Sequence, residues 1–337
     1  MSDFGSELHI SLVRTHRSRI GIYSVDATSR RVQSNPWLDC LCGTSPNSMK
    51  FPTFCAVLWL AFPLTSVHAA DAGIVSIAEG SARLLRNTTW YKLVPGTRFR
   101  EGDILVAKGA GQIQVELFAG GTFNLGAPGT LFAAAVPIVG DKLIGMLDLA
   151  LPDGWLKLVA TAPNLEFRVQ TDSTTLTATE AIVVMRAQPG AAELFVESGA
   201  ATLTDAGTGK VKAPSTIDLR AGGYVTQSGD LPLRFERRAP AAFVAAIPRY
   251  LIDPLPALAA KYKVMAVPLV AEQEVTYAEA QPWLAGPYRK QFLKRFQPRL
   301  KDRDFRAAVE AHIAHYPEWD RILHPEKYLP KAPAEAK

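Results

Sequence analysis

Between Gly73 and about Phe235 the chain is cut into short pieces by turn-forming groups: Pro95-Gly96, Glu101-Gly102-Asp103, Gly109-Ala110-Gly111, Gly120-Gly121, Pro128-Gly129, Asp153-Gly154, Pro189-Gly190 and Gly222-Gly223. Their spacing is mostly close to the roughly 8–12 residues of strand–turn–strand architectures and leaves no room for long helices. Within the pieces, Gly73-Ile-Val-Ser-Ile-Ala78, Gln112-Ile-Gln-Val-Glu-Leu117 and Leu165-Glu-Phe-Arg-Val169 alternate apolar and polar side chains. Alternation of that kind buries one face of each strand. The pattern predicts an all-β module of short strands over residues 70–238, arranged as a sandwich or a solenoid.

Beyond Arg237-Arg238-Ala239-Pro240 the period changes. Thr276-x-x-Glu279 is a capping box and predicts a short helix, which Pro282 would curtail. Tyr288, Phe292 and Phe296 recur at helical spacing and predict one buried stripe, ended by Pro298. Asp302 is placed to cap a further helix carrying Phe305, Val309 and Ile313, and Pro317-Glu318-Trp319 opens a last one. A small α-helical C-terminal block is therefore expected over residues 239–329, with a flexible tail at 330–337. The whole chain is predicted to be mainly β.

Composition narrows the class. Of 337 residues, 48% are hydrophobic and 20% charged, which excludes a disordered chain and a multi-span membrane protein. The formal net charge is only +5, too small an excess to argue for nucleic acid. Three cysteines, Cys40, Cys42 and Cys55, all precede residue 69. The chain beyond that point has neither disulfides nor thiolate chemistry.

One apolar run stands out. Met49-Lys50 is followed by uncharged residues 51–64 (FPTFCAVLWLAFPL) and then Thr65-Ser-Val-His-Ala-Ala70. A basic start, an apolar core and small residues at the end are the layout of a secretory signal peptide over 49–69, with cleavage between Ala69 and Ala70. The rival reading is a membrane anchor, but residues 51–67 are at the short limit for a span and contain two prolines. Residues 1–48 are polar and show no sustained apolar period, so they are expected to be a disordered extension or to precede the true start at Met49. The expected destination is the periplasm or the exterior, with no stable membrane span once the signal is removed.

Chemistry-bearing residues are sparse. His312-x-x-His315, with Glu318 and Asp320 nearby, has the spacing of a half metal site, but Tyr316-Pro317 breaks the helix and no second ligand pair follows. A histidine near a helix C-terminus more commonly meets the last carbonyls. There is no Gly-x-Ser-x-Gly, and Ala206-Gly-Thr-Gly-Lys210 lacks the spacing of a phosphate loop and reads as a hairpin. Asp148, Asp153, Glu166 and Asp172 are the acids that a carbohydrate-acting enzyme could pair. Trp90, Tyr91 and Trp155 read first as strand residues covering a core and second as platforms for a glycan. No catalytic, cofactor or metal residue is assigned.

Several pieces taken in order resemble the FecR-like periplasmic domain family. They are residues 73–86, Leu93-Val-Pro-Gly96 with Glu101-Gly-Asp-Ile-Leu105, residues 114–125, Leu194-Phe-Val-Glu-Ser-Gly199 and Leu219-Arg-Ala-Gly-Gly-Tyr-Val225. The chain departs from the family pattern at Gly120, where an aspartate is usual, and at Thr179-Glu180, where the family has Gly-Thr. Tyr277-Ala-Glu279, Arg299-Leu-Lys-Asp302 and His315-Tyr-Pro-Glu-Trp-Asp320 are similar to a helical tail found on some exported FecR-like proteins. The founding members are iron-uptake regulators that join a cytoplasmic anti-sigma domain, one membrane helix and this outer module. Residues 1–48 do not resemble that anti-sigma domain.

The resemblance implies an exported, non-enzymatic envelope protein that binds a protein or cell-wall partner. The alternatives are a carbohydrate-acting enzyme and a membrane-anchored signalling sensor. The expected contact is basic: between Arg289 and Arg306 stand eight basic residues against two acids. Lys290 and Lys294 lie opposite the apolar stripe, and Arg289 and Arg295 flank it. This face would meet an envelope protein or an anionic wall polymer.

Overall fold

The computed structural model describes residues 70–139, 142–205, 215–265 and 267–328. The expectations for residues 1–48, the apolar run, Ala69, the 206–210 hairpin and the 330–337 tail lie outside the described residues. Sixteen strands come first: β1 (Asp71–Ala78), β2 (Ser81–Arg86), β3 (Thr89–Lys92), β4 (Arg98–Arg100), β5 (Ile104–Lys108), β6 (Gln112–Leu117), β7 (Thr122–Ala135), β8 (Ile138–Val139), β9 (Lys142–Leu143), β10 (Gly145–Val159), β11 (Leu165–Gln170), β12 (Thr174–Gln188), β13 (Ala191–Asp205), β14 (Thr216–Arg220), β15 (Tyr224–Ser228) and β16 (Arg234–Glu236). Then come α1 (Ala241–Ala246), α2 (Arg249–Ile252), α3 (Ala259–Tyr262), β17 (Val270–Glu274), α4 (Tyr277–Ala285), α5 (Arg289–Phe296), α6 (Arg303–Glu310) and α7 (Pro317–Leu323). The protein is mainly β with a small helical C-terminal block, as its sequence predicts.

Four strands are too long to be the short strands expected: β7, β10, β12 and β13 run 14 or 15 residues each. Each changes partner half-way. The first half of β7 pairs β6 and its second half pairs β5. The first half of β10 runs parallel to β11, and its second half pairs β12 antiparallel. β12 likewise passes from β11 to β10, and β13 passes from β15 to β14. The 15-stranded sheet thus folds over along a line through these strands.

That line runs through residues read as turns. Pro128-Gly129 and Asp153-Gly154 are bends inside paired strands, marked by register shifts around Asp153. A Cβ on Gly154 (φ +110°) would lie 2.4 Å from the Gly129 Cα, so the two strands cross where neither has a side chain. In β12 the bend falls at Glu180, whose φ of +50° is a left-handed conformation that favours glycine.

Alternation sets the layers. Leu84, Leu105, Leu131 and Leu149 point inward, to a core shared with Val115, Leu125, Leu158, Val183 and Leu194 from the other half of the sheet. Their neighbours Leu85, Ile104, Phe132 and Ala150 point outward, into a second apolar cluster with Phe292, Phe296, Phe305 and Trp319 of the helical block. On the other half, α1 and α2 bring Phe243 and Leu251 against Trp155, Val184 and Tyr224.

Both sides of the sheet are therefore covered in places where one-sided burial was predicted. β11 alternates as expected, but every residue of β6 is buried. Its outer side chains Gln114 and Glu116 lie under residues 256–259, and Gln112 bonds to Glu79 and Asn124. Glu116 accepts from the backbone N–H groups of Leu258 (2.6 Å) and Ala259 (3.0 Å), and Gln114 donates to the Pro256 carbonyl (2.6 Å). The stretch expected to be helical also contains β17, which extends the sheet by pairing with β3.

In the block, the capping box of Thr276 and Glu279 forms as predicted, and Asp302 accepts from the Phe305 N–H to cap α6. Pro282 does not stop α4. It lies in the sixth position of the helix, which continues to Ala285 before Gly286-Pro287 ends it.

Candidate functional site

Where the helical block meets the outer face of β5, β7 and β10, the contact opens into a groove of about 280 Å³. Its floor is sheet: Val106, Thr130, Ala150 and Gln170. Its wall is the corner between α4 and α5, with Pro282, Trp283, Gly286, Pro287 and Tyr288, and Trp90 of β3 also lines it. The groove exists because Gly286-Pro287 cannot continue a helix, so the chain turns above the sheet and leaves the space beneath unfilled. Apolar clefts with a few converging polar groups are the usual form of a ligand site.

The aromatic walls are held from behind. Phe132 packs edge-on against Trp283 (5.6 Å) and Tyr288 (5.2 Å), and Trp283 leans on Phe292 at 4.8 Å. The Arg83 guanidinium lies 4.4 Å over the Trp90 ring. Trp90 is 6% exposed, and its indole Nε1–H, shielded from solvent, has no hydrogen-bond partner among the described residues. It lies near enough to the Glu279 carboxylate to help hold its charge, but outside hydrogen-bond geometry.

Three carboxylates line the groove against one cation, Lys108. Glu279 is committed locally. Burial would raise its pKa, but the Thr276 N–H and hydroxyl, with Arg83 at 3.7 Å, outweigh that and lower it. Asp153 is half-buried and its pKa is raised, first by burial and then by the charge of Asp172, against a bond from Thr130. Asp172 is exposed at the rim.

Of the four acids considered for paired chemistry, the fold thus brings Asp153 and Asp172 into one groove. Asp148 is occupied elsewhere: it pairs with Arg168 and accepts from Gln170 at 2.9 Å. Glu166 lies on β11, outside the groove lining.

The predicted basic face divides. Lys290 and Lys294 are exposed on α5. Arg289 turns inward, donating to the carbonyls of Leu284 (3.0 Å) and His315 (2.7 Å) and to Glu318 (2.8 Å). Arg295 is buried deeper. It donates to the carbonyls of Asn87 (2.6 Å), Gly102 (2.6 Å) and Leu85 (3.0 Å), and burial pushes its pKa down to about 10 against the opposing charge of Asp103. Arg295 thus fastens the block to the sheet.

The histidines fall where helix-end chemistry places them. The His312 ring stacks on Tyr277 and its Nδ1 lies 2.9 Å from the Ala308 carbonyl. Among the described residues no group of three histidine, cysteine or acidic side chains is placed to hold a metal ion, and no helix is long and apolar enough to cross a membrane.

Trp283, Tyr288, Lys108 and Thr130 were not legible as site residues. The available signal was the string Pro282-Trp-Leu-Ala-Gly-Pro-Tyr288, which marks a helix corner rich in aromatics.

Comparison with known proteins adds little. No protein-family model matches the chain, and no curated protein matches it. Two crystal structures of a "putative anti-sigma factor" from Parabacteroides distasonis ATCC 8503 align at 12% identity and a TM-score of 0.34. The alignments cover 42% of this chain and 63% and 62% of that one, so this chain spans under two thirds of its length. The likeness is too slight to assign a fold family or a function.

Proposed function

We propose that this chain is an exported, non-enzymatic envelope protein in which a FecR-like β module and its helical block together hold a protein or cell-wall partner. The groove carries the reading, because its floor is sheet and its wall is the helical corner. Arg295 and the aromatic cluster behind Phe132 bind these two parts together, so the groove is preformed and does not wait for a domain movement. Export is supported by the signal-like run and by β1 beginning at Asp71, which cleavage before Ala70 would leave whole. The exposed Lys290 and Lys294 would give an anionic partner a second contact.

The test is made in cells. Intact mass of the native protein should begin at Ala70, and a photo-cross-linker at Pro287 should capture an envelope partner that one at exposed Val244, on α1, does not. Retention of residues 51–67 would replace export by the anchor reading. Asp153 and Asp172 in one groove favour a second reading, a carbohydrate-acting enzyme. Turnover of sacculi that Asp153→Asn abolishes would establish that reading and end the first.

A further inference from the structure

The end of the β module where β1 begins plays no part in the groove, and it has a character of its own. Three loops meet there. The β6–β7 turn carries Phe118, whose N–H donates to the Ala72 carbonyl at 3.0 Å and whose side chain shares a surface depression with Lys142 and Ile144 of the β8–β9 hairpin. Arg98 joins this surface to the loop before β17. Its guanidinium stands 5.5 Å from the centre of the Phe118 ring, donates to the Lys263 carbonyl at 2.7 Å, and lines a second depression with Val264 and Met265.

The surface is apolar at its tips and basic beside them. Phe118 is 42% exposed, Met265 47% and Val264 92%, and Ile144 is exposed as well. Single exposed apolar residues are ordinary, but several gathered on one surface mark an interaction site. Lys261 and Lys263 are exposed next to Val264, and residues 254–271 contain no acid. Asp141 adjoins Lys142 in sequence, so the basic excess rests on the pair at 261 and 263.

Connectivity says what this surface faces. Asp71, the first residue of β1, pairs with Arg100 at 2.6 Å and Arg98 at 4.0 Å, so the chain enters the module at this end. In sequence the apolar run 51–67 stops just before it. A run that enters a bilayer during export leaves this end of the module next to the lipid, whether or not cleavage follows.

We propose that this end rests on an anionic lipid surface, with Phe118, Val264 and Met265 entering the headgroup region and Lys261 and Lys263 beside the lipid phosphates. Val264 projects with almost no protein around it. A projecting tip suits a fluid phase that closes around it, whereas a protein partner must supply a matching pocket. A second copy fits poorly, because a two-fold contact would bring the same lysines of both copies into one interface.

The experiment uses the native protein purified from cells, with vesicles of phosphatidylglycerol and phosphatidylcholine in equal parts and vesicles of phosphatidylcholine alone. Hydrogen exchange at residues 117–121 and 261–265 should slow on the anionic vesicles, and exchange at residues 241–246 of α1 should not. Lys261→Glu with Lys263→Glu should weaken flotation with the anionic vesicles at least about tenfold, since each lysine near such a surface contributes roughly fivefold. Val264→Ser with Met265→Ser should also weaken it about tenfold, through lost apolar burial. In a chain that keeps residues 51–67, the same variants should abolish the slowing of exchange and leave flotation intact. Lys290→Glu with Lys294→Glu, on α5, should change neither readout. All these side chains are exposed, so an unchanged circular dichroism spectrum serves as the folding control. Exchange that does not slow at these residues, equal slowing on both kinds of vesicle, or an equal loss from the α5 pair would each overturn the proposal. A photo-cross-linker at Val264 that captures a protein while vesicles leave exchange unchanged would overturn it in favour of that protein. None of these results bears on the groove, which the cross-linker at Pro287 tests.

Discussion

The seam between the helical block and the sheet is built in two ways. At the Arg295 end it is closed: one guanidinium satisfies three backbone carbonyls, and Phe292 and Phe296 fill the space beside it. At the groove end it is open: of the three carboxylates lining it, Asp153 and Asp172 have no ion pair among the described residues. The same two elements therefore make a joint at one end and a groove at the other. A buried charge is tolerated where internal partners meet its needs, and a carboxylate without an ion pair is tolerated where solvent reaches it.

The comparison is broken most severely at Phe132, which supports both ends at once by packing on Phe292, Trp283 and Tyr288. Phe132→Ala should cost ~3–5 kcal/mol in chemical denaturation, since a fully buried aromatic leaves a cavity. A loss below ~1 kcal/mol would mean that the block is held mainly elsewhere.

Arg295→Met keeps an apolar stem but strands three carbonyls, and should cost about 2 kcal/mol. Hydrogen exchange should rise at the seam while the 191–205 region stays protected. Unchanged exchange in α5 would show that the closed end is not closed by Arg295.

Titration sharpens the contrast. Glu279 has its pKa lowered in the fold from 4.5, so its stabilisation is complete above 4.5 and is lost as pH falls through the folded value. Asp153 has its pKa raised from 3.8, so its charge burdens the fold above the raised value, and acid relieves the burden down to 3.8. Asp153→Asn should therefore stabilise the protein at pH 7 by ~0.5–1 kcal/mol, the gain fading towards pH 3. Glu279→Gln should destabilise at pH 7, and that loss should fade over the same range. Thermal melts of both variants from pH 7 to 3 check the opposite signs. Parallel trends would remove the distinction between the two carboxylates.

The smallest effect on stability belongs to Lys290→Glu with Lys294→Glu, within ~0.5 kcal/mol because both side chains are exposed. Envelope association at low salt should weaken nonetheless, because exposed charges act over distances that salt screens. Association indifferent to both the substitutions and salt would leave these lysines as solubility features.

Features that depend on a few neighbouring residues were legible in the sequence. The capping box of Thr276 and Glu279, the Asp302 cap, the α5 stripe of Phe292 and Phe296 and the alternation of β11 all form as the spacing predicts, because their hydrogen bonds and faces are decided within a turn or a strand. The left-handed glycines at 96, 102, 109, 120 and 190 sit at punctuation seen in the sequence for the same local reason. What depends on distant partners was not legible. Pro128-Gly129 and Asp153-Gly154 look like turns, and only their mutual crossing makes them bends in continuous strands. β6 reads as half-exposed, yet the return of residues 256–259 covers Gln114 and Glu116 of its polar face. Arg295 reads as one more surface charge, yet its carbonyl partners are about two hundred residues away. The groove is of this second kind. Asp153, Asp172, Trp90 and Trp283 belong to four separate segments, and their chemistry exists only where the tertiary fold brings them to one cavity.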